Sequence, residues 1–220
     1  MANITTPLNY IIRPYLVSDR SMVRQIAFDT AFMGASADIF FEGREFLQDA
    51  LTRYFTDYEP DSAWVAETKE GIVGYIIGAK NETRMNQIFL AKIVPDLLII
   101  ALQQALFFRL KNLKLLKGIV SSLLHGEFYA PSFTKKYPAV LHINLKSDYR
   151  GQGIGYALMQ VLINDYMQAG IHGVHLATMS SAGAEFFQKN GFNIIFKSKR
   201  SYLNNYTSQD IPLYILGRVL

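Results

Sequence analysis

The sequence predicts an α/β (α+β) fold: one domain over residues 1–220, built on a mixed, largely antiparallel sheet of about seven strands flanked by helices. Three observations point there. Ala63 to Thr68 and Ile72 to Ala79 are β-rich runs split by Lys69-Glu70-Gly71, a hairpin signal. From Ala139 onward the pattern alternates strand, helix, strand, helix, then two strands. Half of the 220 residues are apolar and 18% are charged, a mix that supports one sizeable core.

Each element follows from local pattern. Tyr10-Ile11-Ile12-Arg13-Pro14 reads as a first strand. Ser18 or Asp19 is expected to cap a helix carrying Met22, Ile26, Ala27, Phe28 and Phe32, with Gly34 suited to its end. Phe46, Leu47, Ala50, Leu51, Tyr54 and Phe55 fall on one face of a second helix. After the hairpin comes a helical insertion of about residues 83–136, between strands three and four. It is helical in pattern and unusually apolar to Lys117, and less defined beyond. Ala139 to Lys146 is a strong strand, Gly151 to Gln168 a helix ended by Gly170, and Gly173 to Thr178 a strand. Ser181 to Lys189 is a helix closed by Asn190-Gly191, and Phe192 to Lys199 and Ile211 to Val219 are the last strands.

Composition excludes several chemistries. The chain has no cysteine, so a disulfide framework, a cysteine nucleophile and a thiolate metal site are ruled out, and no metal site is expected. A net charge of +4 and a pI near 9.1 are compatible with a polyanionic cofactor and equally with a slightly basic enzyme. Nucleic-acid binding needs clustered charge, and Lys111, Lys114 and Lys117 read instead as a solvated helix face, so no nucleic-acid partner is expected.

One motif carries chemistry. Leu141-His142-Ile143-Asn144-Leu145 alternates, a short turn follows, and Arg150-Gly151-Gln152-Gly153-Ile154-Gly155 leads into an amphipathic helix. Backbone N–H groups at such a helix start, with the helix dipole behind them, attract an anion. Glycines let phosphate oxygens approach the main chain, and Arg150 can add a charge-assisted contact. A bare glycine turn is common, so the weight lies in its placement between strand and helix. A P-loop needs Gly-Lys-Ser/Thr where Gly155-Tyr156-Ala157 stands. A dinucleotide fingerprint needs a third glycine one place later, and an acid about 20 residues on, where His172 and Gly173 sit.

Arg-x-x-Gly-x-Gly after a strand resembles motif A of the GNAT superfamily of N-acetyltransferases. Ala184 to Phe192, Ala-Glu-Phe-Phe-Gln-Lys-Asn-Gly-Phe, resembles its motif B, and Leu216 to Leu220 its common last strand. Together with the early strand, two helices and hairpin, the resemblance spans nearly the whole chain. Lys136 to Leu145 is also similar to bacterial relatives of the acetyltransferase-like domain of O-GlcNAcase, with Asn144 where that group is expected to have Asp.

The resemblance implies acetyl-CoA as co-substrate, direct attack by an amine, and catalysis by positioning and carbonyl polarisation. The partners implied are acetyl-CoA and an amine acceptor on a small molecule or protein. On this reading a backbone N–H at Leu145 polarises the carbonyl, and main chain from Ile143 to Leu145 pairs with pantetheine. Arg150, Gly151, Gln152, Gly153, Ile154 and Gly155 take the pyrophosphate, and Ser180 stands where the family often has a pantetheine-contacting Asn. The family's thiolate-protonating Tyr falls at Phe187, which has no proton to give. Tyr149 and Tyr156 are candidate substitutes; otherwise water serves, or the chain is a weak or inactive acetyl-CoA-binding relative. His142 is the first candidate general base, against a packed polar residue as the competing reading. His125 and Glu127 form a second candidate pair, against a solvated loop.

Asn3, Thr5, Thr6 and Pro7 occupy the place where a signal peptide needs a basic start and an apolar core, so a cytoplasmic protein is expected. In the apolar segment Ile88 to Leu116 the longest uncharged run, Leu97 to Phe108, has 12 residues where a span needs about 20. No membrane partner is expected; the segment is read as a helix over the acceptor side of the cleft that also makes a homodimer contact.

Overall fold

The computed structural model describes residues 9–207 and 210–220. Asn3, Thr5, Thr6 and Pro7, which enter the argument against a signal peptide, lie outside the described residues. One seven-stranded sheet organises the chain, with strands β1 (Ile11–Pro14), β2 (Ala63–Thr68), β3 (Gly71–Ala79), β4 (Ala139–Leu145), β5 (Gly173–Thr178), β6 (Asn193–Arg200) and β7 (Ile211–Val219). Their order is β1-β2-β3-β4-β5-β7-β6, and every neighbouring pair is antiparallel except β4 with β5.

Two cores cover the two sheet faces. Helix α6 (Ile154–Gln168) lays Ile154, Leu158, Met159, Leu162 and Tyr166 against Leu141, Val174 and Leu216, joined by Ala184 and Phe187 of α7 (Ser181–Lys189). On the other face α1 (Arg20–Thr30) and α2 (Arg44–Asp57) pack Val23, Ile26, Ala27, Tyr54 and Phe55 on Val65, Tyr75 and Ile77. The alternation of strand side chains sends Leu141 to the first core and Val140 to the second.

The start of α1 differs from the expected cap. The Asp19 carboxylate accepts the Leu16 N–H at 2.8 Å and pairs with Arg13 at 2.7 Å. It therefore closes the short 3₁₀ turn Val17–Asp19 rather than capping α1, and Ser18 sits inside that turn. Gly34 does terminate the region: its φ is +97° and its N–H donates to Thr30 O at 3.0 Å.

The insertion is helical only to Leu124, and residues 125–138 contain no helix or strand. It comprises α3 (Glu82–Ile88), a π-helical turn (Phe89–Ile93), α4 (Val94–Gln103) and α5 (Leu110–Leu124). Pro95 lacks an N–H, and the wider π turn just before it re-registers the helix across that gap. Ile93 and Leu97 are buried in the second core, so part of the insertion belongs to the fold proper. Glu82–Gln103 is one continuous helix of 22 residues with mean hydropathy 1.6, long and apolar enough to cross a membrane by length and composition alone. Counting uncharged runs missed this because Lys92 and Asp96 interrupt them. Both are engaged: the Lys92 ammonium lies 5.6 Å from the centre of the Tyr58 ring, and Asp96 pairs with Arg53 at 2.6 Å.

Candidate active site

The site begins where two central strands part. β4 pairs with β5 only at Ala139↔Val174 and Val140↔His175. Beyond that point β4 stays with β3 as far as Leu145↔Gly74, while β5 stays with β7 as far as Thr178↔Tyr214. Each strand follows its antiparallel partner, and a gap opens between them. Lys146 N–H donates to Val73 O at 2.9 Å. Antiparallel alternation then turns the main-chain groups of His142 and Asn144 toward β3, and those of Ile143 and Leu145 toward the gap.

At the far end of β4 the chain makes a 3₁₀ turn, Ser147–Tyr149, and passes through Gly151 and Gly153 into α6. Gly151 and Gly153 have φ of +74° and +82°, so they form the turn and are not the first helical residues, as the sequence pattern suggested. The left-handed backbone there favours glycine. Gly155 serves packing: a Cβ on it would lie 3.3 Å from Leu145 Cδ1 and 3.4 Å from the Phe186 ring. The 15-residue α6 therefore points its N-terminus, with unbonded N–H groups, at the end of the gap.

A cleft of ≈ 830 Å³ occupies the gap and the space above it. Its β4 wall carries Leu141, His142, Ile143, Asn144 and Leu145, and the glycine turn contributes Arg150, Gly151, Gly153 and Gly155. Thr178, Ser180 and Gly183 line it from the end of β5 and the start of α7, and Thr30, Met33 and Gly34 from the end of α1. Arg150 is the one formally charged side chain among these lining residues. Its guanidinium donates to Leu145 O at 3.2 and 3.1 Å and to Gly34 O at 3.1 Å.

Of the residues expected to hold the co-substrate, Ile143, Leu145, Arg150, Gly151, Gly153, Gly155, Ser180 and Phe187 all line the cleft. Gln152 and Ile154 do not. The Gln152 amide donates to Asp148 O at 2.9 Å, and Ile154, the first residue of α6, is fully buried in the core beneath the sheet. Ser180 Oγ accepts the Gly183 N–H at 3.2 Å as the cap of α7.

Among the catalytic candidates, His142 is in the cleft and the pair from the insertion is not. His142 is an exposed residue of the β4 wall, its ring edge-on to Phe55 with centroids 5.5 Å apart. The surrounding protein penalises imidazolium there and pushes its pKa below the usual histidine value, so the neutral base form prevails at neutral pH. His125 Nδ1 lies 2.7 Å from Ser121 O at the end of α5. The Glu127 carboxylate accepts Ser201 N–H at 2.8 Å, and its carbonyl accepts from Arg200. Those contacts tie the loop after α5 to the end of β6, away from the cleft lining.

Phe187 is buried, edge-on to Phe186 and Phe192 at centroid distances of 5.1 and 5.5 Å. Tyr149 donates its hydroxyl to the Glu70 carboxylate, which raises its pKa, and it is not among the lining residues. Tyr156, on the first turn of α6, is exposed and lines the cleft.

Sequence reasoning missed Tyr75, Thr30, Gly34 and Thr178. Tyr75 is buried beside Asn144, whose amide donates to its hydroxyl oxygen at 2.7 Å. The signal was the β3 hairpin strand itself, since an antiparallel neighbour of β4 must place a side chain beside Asn144.

Residues 117–194 match the family model described as "Acetyltransferase (GNAT) domain". No curated protein sequence matches the chain. Solved structures match it over nearly their full length. The structure described as "Crystal structure of SsHAT" superposes with TM-score 0.68 and 23% identity, covering 96% of this chain and 98% of that one. A ribosomal-protein-alanine N-acetyltransferase from Brucella melitensis gives TM-score 0.56 and 15% identity, covering 96% and 99%. A polyamine N-acetyltransferase from Drosophila melanogaster, described as forming N-acetylagmatine, gives 0.59 and 12%, covering 96% and 100%. At these identities the likeness is one of fold. The chain has the GNAT fold, and its residues 117–194 match the model of the GNAT domain.

Proposed function

We infer that the chain is an acetyl-CoA-dependent N-acetyltransferase that moves an acetyl group to a primary amine of a small molecule or protein by direct attack. The parting of β4 from β5 in front of the Gly151–Gly153 turn carries this reading. The gap offers main-chain groups of Ile143 and Leu145 to an extended amide-bearing arm. The turn offers helix N–H groups and Arg150 to a pyrophosphate at the arm's far end. The residues present therefore fit acetyl-CoA as co-substrate, with Gly151, Gly153, Gly155 and Ser180 shaping the slot.

In the reaction the amine nitrogen bonds to the thioester carbonyl carbon, the carbonyl oxygen gains charge, and the carbon–sulfur bond then breaks. On this reading the Leu145 N–H stabilises that oxygen. Neutral His142 accepts the proton the amine must lose, directly or through one water. The leaving thiolate takes a proton from Tyr156 or from water, since Phe187 has none to give. Incubating the protein with acetyl-CoA and a panel of amines, and measuring free CoA together with the amide product, tests the assignment. Amine-dependent release supports it. Tight acetyl-CoA binding with no release for any amine would show a binding module instead, the reading that Phe187 favours.

A further inference from the structure

We propose that the outer face of α5 docks the protein on an anionic lipid surface. The inner face of α5 is settled by its contacts. Asn112, Leu115 and Ser122 are buried, and Asn112 clamps the helix to the chain before α2 through Glu42 N–H at 2.8 Å and Glu42 O at 2.7 Å. At 3.6 residues per turn, the side opposite these residues carries Leu110, Leu113, Lys117, Val120 and Leu124. A soluble helix turns polar residues outward, and this one turns out leucines. Leu110 is 77% exposed, Leu124 81%, and Phe108, just before the helix, 82%. The face runs about 21 Å along the helix from Leu110 to Leu124.

Charge chooses the occupant. Residues 97–126 contain four cations, Arg109, Lys111, Lys114 and Lys117, and no acid. Lys111 donates to Asp38 O at 2.6 Å, whereas Arg109, Lys114 and Lys117 are exposed and make no ion pair among the described residues. A second copy seated on this face through a two-fold axis would bring the same cations together with no acid in the segment to offset them. An anionic lipid surface accepts leucines below the headgroups and ammonium groups at phosphate level, with the lysine stems reaching outward.

Co-sedimentation of the full chain with vesicles of phosphatidylglycerol and phosphatidylcholine in equal parts, and with pure phosphatidylcholine, tests this. The protein should pellet with the anionic vesicles, weakly or not at all with the neutral ones, and less as salt rises. Leu113→Glu with Leu124→Glu should abolish pelleting. Lys114→Gln and Lys117→Gln should each weaken partitioning by about fivefold. All are exposed positions, so melting temperature and acetyl-CoA binding should be kept. Failure of the wild type to pellet overturns the proposal. So does a dimer by analytical ultracentrifugation that Leu113→Glu converts to monomer, which would assign the face to a second copy. Neither outcome bears on the acetyl-transfer reading.

Discussion

The Arg150 guanidinium sits 3.1 Å from the carbonyl oxygens of both Gly34 and Leu145, joining the end of α1 to the end of β4 beside the gap. A Cβ on Gly34 would lie 2.7 Å from Arg150 Nη1, so glycine at 34 is a condition of that seat. Gly34→Ala should displace the guanidinium and strain a φ of +97°. Arg150→Ala should weaken acetyl-CoA binding and reduce its salt dependence. The double variant should lose less than the two single losses added, because both act on one side chain. Isothermal titration at two salt concentrations reads this; strict additivity would separate Gly34 from the anion contact.

Gly153 adopts φ +82° at the start of α6 with nothing within 4 Å of its missing Cβ. Gly153→Glu therefore meets no neighbour but strains the turn and sets a carboxylate where we propose that the pyrophosphate binds. Acetyl-CoA at a hundred times its Kd should stabilise the wild type by about 2.7 kcal/mol in a thermal melt. The variant should show no such rise.

His142 should give the rate an ascending limb. Its pKa is depressed, so kcat/KM should rise with pH through a value below about 6.5 and level off near neutrality. His142→Gln should lower kcat/KM by about a hundredfold or more and remove that limb. The same depression affects stability. The unfolded chain binds the proton more readily, so the contribution is full above about 6.5 and is lost as pH falls through the lower folded value. A limb unchanged in the variant would assign the base elsewhere.

Asn144 and buried Tyr75 form a pair whose loss is costly. Asn144→Ala leaves the Tyr75 hydroxyl without its amide partner and should cost about 1–3 kcal/mol in chemical denaturation. In a Tyr75→Phe background the cost should shrink, and equal costs in both backgrounds would contradict the pairing.

The missing tyrosine at Phe187 separates two sources of the final proton. Tyr156→Phe should lower turnover if the Tyr156 hydroxyl protonates the thiolate, and Phe187→Tyr added to it should restore turnover. If water suffices, neither change matters. A gain of about a hundredfold from Phe187→Tyr alone would show that no substitute exists.

Much of this architecture was legible because it is periodic. Two-residue alternation locates β4, and the helix pattern locates α2 and α7 to within a residue or two. The glycine turn was legible, but the helix boundary was set at Gly151 and not at Ile154 because sequence does not display the sign of φ. The face of α5 was hidden for a different reason. Its buried residues include polar Asn112 and Ser122 while Leu110 and Leu124 face out, so hydrophobicity points the wrong way. Nothing local in Leu124-His125-Gly126-Glu127 shows that Glu127 binds Ser201, 74 residues on. Thr30, Gly34 and Tyr75 reach the cleft only through tertiary pairing.

Continuous measurement of free CoA thiol from acetyl-CoA across an amine panel, with product mass, tests the central claim most directly. Amine-dependent release should match amide formation one for one in the wild type and vanish in Gly153→Glu. Saturable acetyl-CoA binding with no amine-dependent release from any member of the panel would contradict it.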